Sequence, residues 1–153
     1  MAIYIVQHGK CFSKDVDPER SLSEEGITTV KRIASVAGGY GVKPSVINHS
    51  GKKRALETAE IISEALSPEA GIQKISGINP MDDVRIFSEH LNVEQNEMFV
   101  GHLPFMEHLI SFLIAGDIAK PVFKLQNGGI LCMDKEPGNG QWFIKWGLMP
   151  EIR

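Results

Sequence analysis

The chain has 153 residues, 42% of them hydrophobic, and a formal net charge of -3. That length and apolar content suit one domain with one substantial core, residues 1–153, and the mildly acidic balance excludes a global attraction to nucleic acid or to an anionic membrane. No apolar stretch approaches a membrane span, the N-terminus lacks the basic segment of a signal peptide, and Cys11 and Cys132 form no C-x-x-C pair, so a soluble cytoplasmic protein with two free thiols is expected.

In chain order, residues 2–7 form a β-rich apolar run suited to a strand covered on both faces. Residues 8–20 lack periodicity and carry Gly9, Asp15, Asp17 and Pro18, which predicts a loop. Ser21-x-x-Glu24 has the pattern of a capping box, and the helix after it places Ile27, Val30, Ile33, Ala34 and Ala37 on one face before Gly38-Gly39 stops it. A short strand is predicted at 45–48, then a helix over about 51–66 with Ala55, Ala59, Ile62 and Leu66 on one stripe, then a strand at 72–75. Asn79-Pro80 reads as an N-cap with proline at the first helical position, and Val84, Phe87 and Leu91 mark the buried face of that helix. Met98-Phe99-Val100 is a further core strand, and a helix beginning near Pro104 buries Phe105, Leu109, Ile110 and Leu113. Residues 121–147 hold three strand-like runs, the last two joined by a turn at 136–140. This alternation predicts an α/β fold of three layers: a mostly parallel central sheet, helices on both faces and antiparallel strands at one edge.

In such sheets the functional site lies beyond the carboxyl ends of the strands. His8 follows the first strand, His49 to Arg54 follows the second, and Gly101-His102 follows the strand at 98–100. Two strand-end histidines with an arginine between them suit phosphoryl transfer, in which catalysis is mainly positioning and charge stabilisation. A guanidinium matches the geometry of phosphate oxygens. A neutral imidazole can attack phosphorus and give a covalent phosphohistidine, and a second imidazole can donate a hydrogen bond to the transferring group. The histidine spacings form no zinc motif, and Gly38-Gly39-Tyr40-Gly41 fits neither a P-loop nor a dinucleotide fingerprint, so no metal or cofactor is expected.

Four segments carry a family resemblance. Val6-Gln7-His8-Gly9 resembles the Arg-His-Gly signature of the histidine phosphatase superfamily, whose fold is phosphoglycerate mutase-like. Arg20-Ser-Leu-Ser-Glu-Glu-Gly26 resembles its Arg-x-Leu-[Ser/Thr]-x-x-Gly segment, and Ser50-x-x-x-Arg54-Ala55-x-x-Thr58-Ala59 its Ser-x-x-x-Arg-Ala-x-x-Thr-Ala block. Val100-Gly101-His102-Leu103-Pro104 is similar to its second histidine motif. The set occurs in the family's order over residues 5–104, and the short chain looks most like the SixA-type phosphohistidine phosphatases. The resemblance implies His8 as nucleophile, with Arg20, Arg54 and His102 forming the phosphate pocket. It also implies a phosphorylated protein (phosphohistidine) or a small phosphoester as the partner. The wider family often uses a carboxylate as proton donor; Asp82 and Asp83 fall in that region, Asp83 being the candidate, although both also suit a helix N-terminus. One departure stands out: Gln7 occupies the place of the family's arginine. Losing one charged phosphate contact costs about 1.5–3 kcal/mol. Gln7 therefore leaves open a weakened enzyme, a pocket compensated by Lys10 or Lys52, or a phosphate-binding protein without turnover.

Overall fold

The computed structural model describes residues 1–152. β1 (Ile3–Gln7) is buried at every position, as a strand covered on both faces must be. Its alternate side chains serve two cores: Tyr4 and Val6 pack with Val30, Ile33, Ala59 and Ile62 on one side, while Ile3 and Ile5 pack with Phe87, Phe105, Leu109 and Ile110 on the other. The first of these faces is covered by α1 (Glu24–Gly39) and α2 (Lys53–Leu66), the second by α3 (Val84–Ser88) and α4 (Phe105–Ala115).

The remaining strands are β2 (Ile47–His49), β3 (Ile72–Lys74), β4 (Met98–Gly101), β5 (Ile130–Lys135) and β6 (Trp142–Leu148), and the sheet runs β3-β2-β4-β1-β5-β6. Its first four strands are parallel; β5 joins β1 antiparallel and β6 extends the edge as a hairpin. Register sets the site. Gln7 lies opposite Gly101 and His49 opposite Val100, so β1, β2 and β4 end together and the residues after them share one rim. No helix among the described residues is long and apolar enough to cross a membrane.

Several local expectations shift. The cap of α1 is Ser23, whose Oγ accepts the Gly26 N–H at 3.1 Å, rather than Ser21. Leu22 bridges to Cys11 and keeps the chain extended past Ser21, whose backbone and hydroxyl both bond to Asp17. Gly26 is needed there: a Cβ would lie 2.0 Å from the Lys10 carbonyl oxygen, so only glycine lets α1 close on the loop after β1. Asn79-Pro80 does not start a helix. Asn79 and Asp82 close a turn through the Asn79 N–H and the Asp82 carboxylate at 2.8 Å, and α3 begins later, capped by Asp83. Of the three runs in 121–147 only the last two are strands. The Leu125 N–H is taken by the Glu107 carboxylate at 2.8 Å instead of a ladder partner.

Candidate active site

His8 is the first residue beyond β1. Its N–H donates to the Gly101 carbonyl at 3.0 Å and its own carbonyl accepts from Asn127 Nδ2 at 3.0 Å, so the backbone is held from both sides. The side chain is 8% exposed, and Nδ1 sits 2.7 Å from the Gly9 carbonyl oxygen. A carbonyl can only accept, so Nδ1 carries the proton and Nε2 of the neutral ring keeps its lone pair. Burial pushes the His8 pKa down to about 4; the Gly9 bond opposes this, and Arg54 and Arg20 add to it.

His102, 1% exposed, stands beside it with ring centroids 5.1 Å apart. Its Nε2 is 2.6 Å from Ser50 Oγ. Ser50 Oγ accepts the Lys52 N–H at 3.3 Å, which leaves the hydroxyl proton for Nε2 and places the ring proton on Nδ1. Nδ1 is buried and without a partner. Burial, followed by His8 and the cations Arg54, Lys52 and Arg20, pushes the His102 pKa down to about 3. Two neutral imidazoles therefore share this rim at neutral pH, one offering a lone pair and the other an N–H.

Arg54 sits in the first turn of α2. Its carbonyl accepts the Thr58 hydroxyl at 2.7 Å, and Thr58 Oγ1 accepts the Gly9 N–H at 3.0 Å, which ties the arginine's turn to the loop carrying His8. Arg54 Nε is buried without a partner, and burial together with nearby Arg20 lowers its pKa. Arg20 arrives from the 8–20 loop with φ 54°, left-handed backbone that costs a non-glycine residue about 1–3 kcal/mol. Its guanidinium donates to the Phe12 carbonyl at 3.4 Å and reaches Cys11 Sγ at 3.5 Å.

These groups border an open cleft of about 470 Å³ whose walls include Gln7, His8, Cys11, Arg20, Arg54 and Leu103. Gln7, 8% exposed, has its Oε1 buried and unpaired. Gln7 Oε1, Arg54 Nε and His102 Nδ1 are the buried side-chain polar atoms lacking a partner among the described residues. Native proteins rarely leave such groups unsatisfied, and all three fall on residues read as the phosphate pocket. A tetrahedral oxyanion accepting from Arg54 and His102 would satisfy two of them.

The structure does not bring Asp82 or Asp83 to the cleft. Asp83 caps α3 by accepting the Arg85 N–H at 2.8 Å, and Asp82 is spent in its turn; both face other depressions. Lys10 lines the cleft but is paired with Glu25 at 2.8 Å. His49 is buried and accepts the Gly51 N–H through Nδ1. Sequence reasoning missed three positioning roles: Ser50 on His102, Thr58 on the Gly9 amide and Asn127 on the His8 carbonyl. The first two lie in a motif that was read, whereas Asn127 carries no signal at all.

No protein-family model and no curated protein matches the sequence. Solved structures do match its fold. The chain is similar to the protein histidine phosphatase SixA complexed with tungstate at 22% identity and TM-score 0.83, covering 98% of this chain and 97% of that one. A candidate phosphohistidine phosphatase SixA from Agrobacterium tumefaciens matches at 22% identity and TM-score 0.76, over 97% of both chains. A phosphoserine phosphatase mutant from Entamoeba histolytica, in complex with phosphoserine, matches at 15% identity and TM-score 0.71, over 98% of both. The fold is that of the histidine phosphatase superfamily, phosphoglycerate mutase-like over nearly the whole chain.

Proposed function

We propose that the cleft removes a phosphoryl group through a covalent intermediate on His8, and that its substrate is phosphohistidine on a protein partner. One observation carries the reading: His8 keeps an Nε2 lone pair beside two buried donors without partners, Arg54 Nε–H and His102 Nδ1–H. The nucleophile and the groups that hold the phosphoryl oxygens are thus present together.

In the first step His8 Nε2 attacks phosphorus. An N–P bond forms, and the bond to the leaving group breaks with its electron pair going to that group. The guanidiniums of Arg54 and Arg20 and the His102 N–H balance the charge on the non-bridging oxygens. In the second step water attacks phosphorus, the N–P bond breaks, the pair returns to Nε2 and inorganic phosphate leaves. The cleft supports an easily released leaving group. Its lining carboxylate, Glu25, is held by Lys10, and the aspartates stand elsewhere. An imidazole leaves phosphorus more readily than an alkoxide does and needs less acid help. The solved relatives described as acting on phosphohistidine and on phosphoserine make those two substrate classes the ones to compare.

Gln7 favours a second reading: a protein that binds phosphohistidine and turns it over slowly or not at all. Gln7 brings no charge to the pocket, and Lys10, which might replace it, is engaged by Glu25. Incubating wild type and His8→Ala with a phosphohistidine peptide and with phosphoserine decides among these. The proposal expects phosphate release from the first substrate by wild type alone. Equal release by both proteins contradicts it, preferential release from phosphoserine moves the substrate to a phosphoester, and binding without release selects the second reading.

A further inference from the structure

Gln7 closes β1 with its carbonyl accepting the Gly128 N–H at 2.9 Å, so the residue's position is fixed by backbone on both sides. Its side chain borders the phosphoryl cleft, and its Oε1 is an acceptor that no group of the protein supplies with a hydrogen. A phosphoryl dianion presents only lone pairs on its non-bridging oxygens and would set them against those of Gln7. A phosphoryl monoanion carries one P–O–H, the donor this oxygen lacks. We infer that Gln7 makes the cleft selective for the protonated, monoanionic phosphoryl group over the dianion, through an O–H donated to Gln7 Oε1. The inference rests on the phosphoryl-site reading above and adds the charge state of its ligand.

The charges around the amide agree with this. Arg54 is the inner cation, with its Nε buried, while Arg20 comes from the loop and shares its guanidinium with Phe12 and Cys11. Lys10 is neutralised by Glu25 at 2.8 Å. Beyond Gln7 the surface continues into a second hollow bearing Arg32 and Glu151, which are of opposite sign. Glu25 and Glu151 titrate as ordinary carboxylates do, in the acid range. His8 and His102 stay neutral down to about 4 and about 3, so neither adds a cation between pH 5 and pH 8. The step that matters in that range belongs to the ligand, since phosphomonoesters take up their second proton near pH 6. A glutamine that accepts this proton makes the neutral imidazole of His8 meet a less repulsive phosphorus.

Calorimetric titration of the wild-type protein with inorganic phosphate and with sulfate, in matched buffers from pH 5 to pH 8, tests this. Phosphate gains a proton across the range, and sulfate remains a dianion, so their affinity ratio isolates the ligand's proton from any titration of the protein. The expected ratio of phosphate to sulfate affinity rises about tenfold for each unit of falling pH above phosphate's second ionisation and levels off below it. Gln7→Arg, which replaces the acceptor by donors, and Gln7→Met, which keeps the length without the oxygen, flatten the ratio. A wild-type ratio independent of pH, or a rise that both variants share, overturns the inference and leaves the phosphoryl site standing. Failure of wild type to bind either anion overturns the site and the inference with it.

Discussion

His8 and His102 stand on the ends of adjacent parallel strands, whereas Arg20 reaches the same cleft from an irregular loop. The strand-end wall is placed by the ladder: Gln7 opposite Gly101, His49 opposite Val100, each neighbour buried. Its residues have little freedom once the sheet forms, and its cost is polar atoms buried without partners. The loop wall is placed by local bonds, Ser21 to Asp17 and Phe12 to the Ser21 carbonyl, and by the closeness that Gly26 allows to Lys10. Its cost is left-handed backbone at Arg20. One wall holds the reacting atoms rigidly in a dry setting. The other brings charge from an exposed segment and tolerates more change.

The difference is largest between the two arginines. Arg54→Ala removes a partly buried guanidinium from the rigid wall and is expected to lower kcat/KM by about 100- to 1000-fold, measured on whichever phosphorylated substrate turns over. Arg20→Gly removes a guanidinium from the loop while relieving its backbone strain. Its kcat/KM is expected to fall about tenfold, with a Tm equal to or above that of wild type. Equal losses from the two substitutions would erase the distinction between the walls.

Acid stability separates the walls next. An unfolded histidine takes its proton near pH 6.5, whereas folded His8 and His102 hold out to about 4 and about 3. Between those values the unfolded chain binds more protons. Stability is therefore fully present above pH 6.5 and is lost as pH falls through 4. Tm measured from pH 7.5 to pH 4 should fall, and His102→Asn should make the decline shallower. Equal slopes would contradict the burial of neutral imidazoles. The smallest effect concerns the seam between the walls. Gly26→Ala drives a methyl group against the Lys10 carbonyl and is expected to cost about 1–3 kcal/mol by denaturant titration.

The same contrast decides what could be read from the sequence. His8, Arg54 and His102 were legible because a strand end projects its next residue onto a known rim, and periodicity located those strands and helices. Residues placed by contacts between distant segments were not. Asn127 reaches the His8 carbonyl from a stretch read as a strand, and nothing near Asn127 in the chain encodes that bond. Ser21-x-x-Glu24 satisfies a capping pattern as well as Ser23 does; the pairing of Leu22 with Cys11 decides between them, and that pairing is tertiary. Asp83 sits in the right region for a proton donor, but the free N–H of Arg85 claims its carboxylate for a cap. Gln7 was visible as a departure in charge; its unsatisfied oxygen became visible only with the fold.

The most direct test of the account is to mix wild-type protein with a phosphohistidine peptide, quench within milliseconds in alkali, and locate the phosphoryl group by mass spectrometry. The account predicts a transient phosphohistidine at residue 8 that forms before free phosphate and is absent in His8→Ala. Phosphate release without any phosphoryl group on His8, at a rate the His8→Ala variant shares, would contradict it.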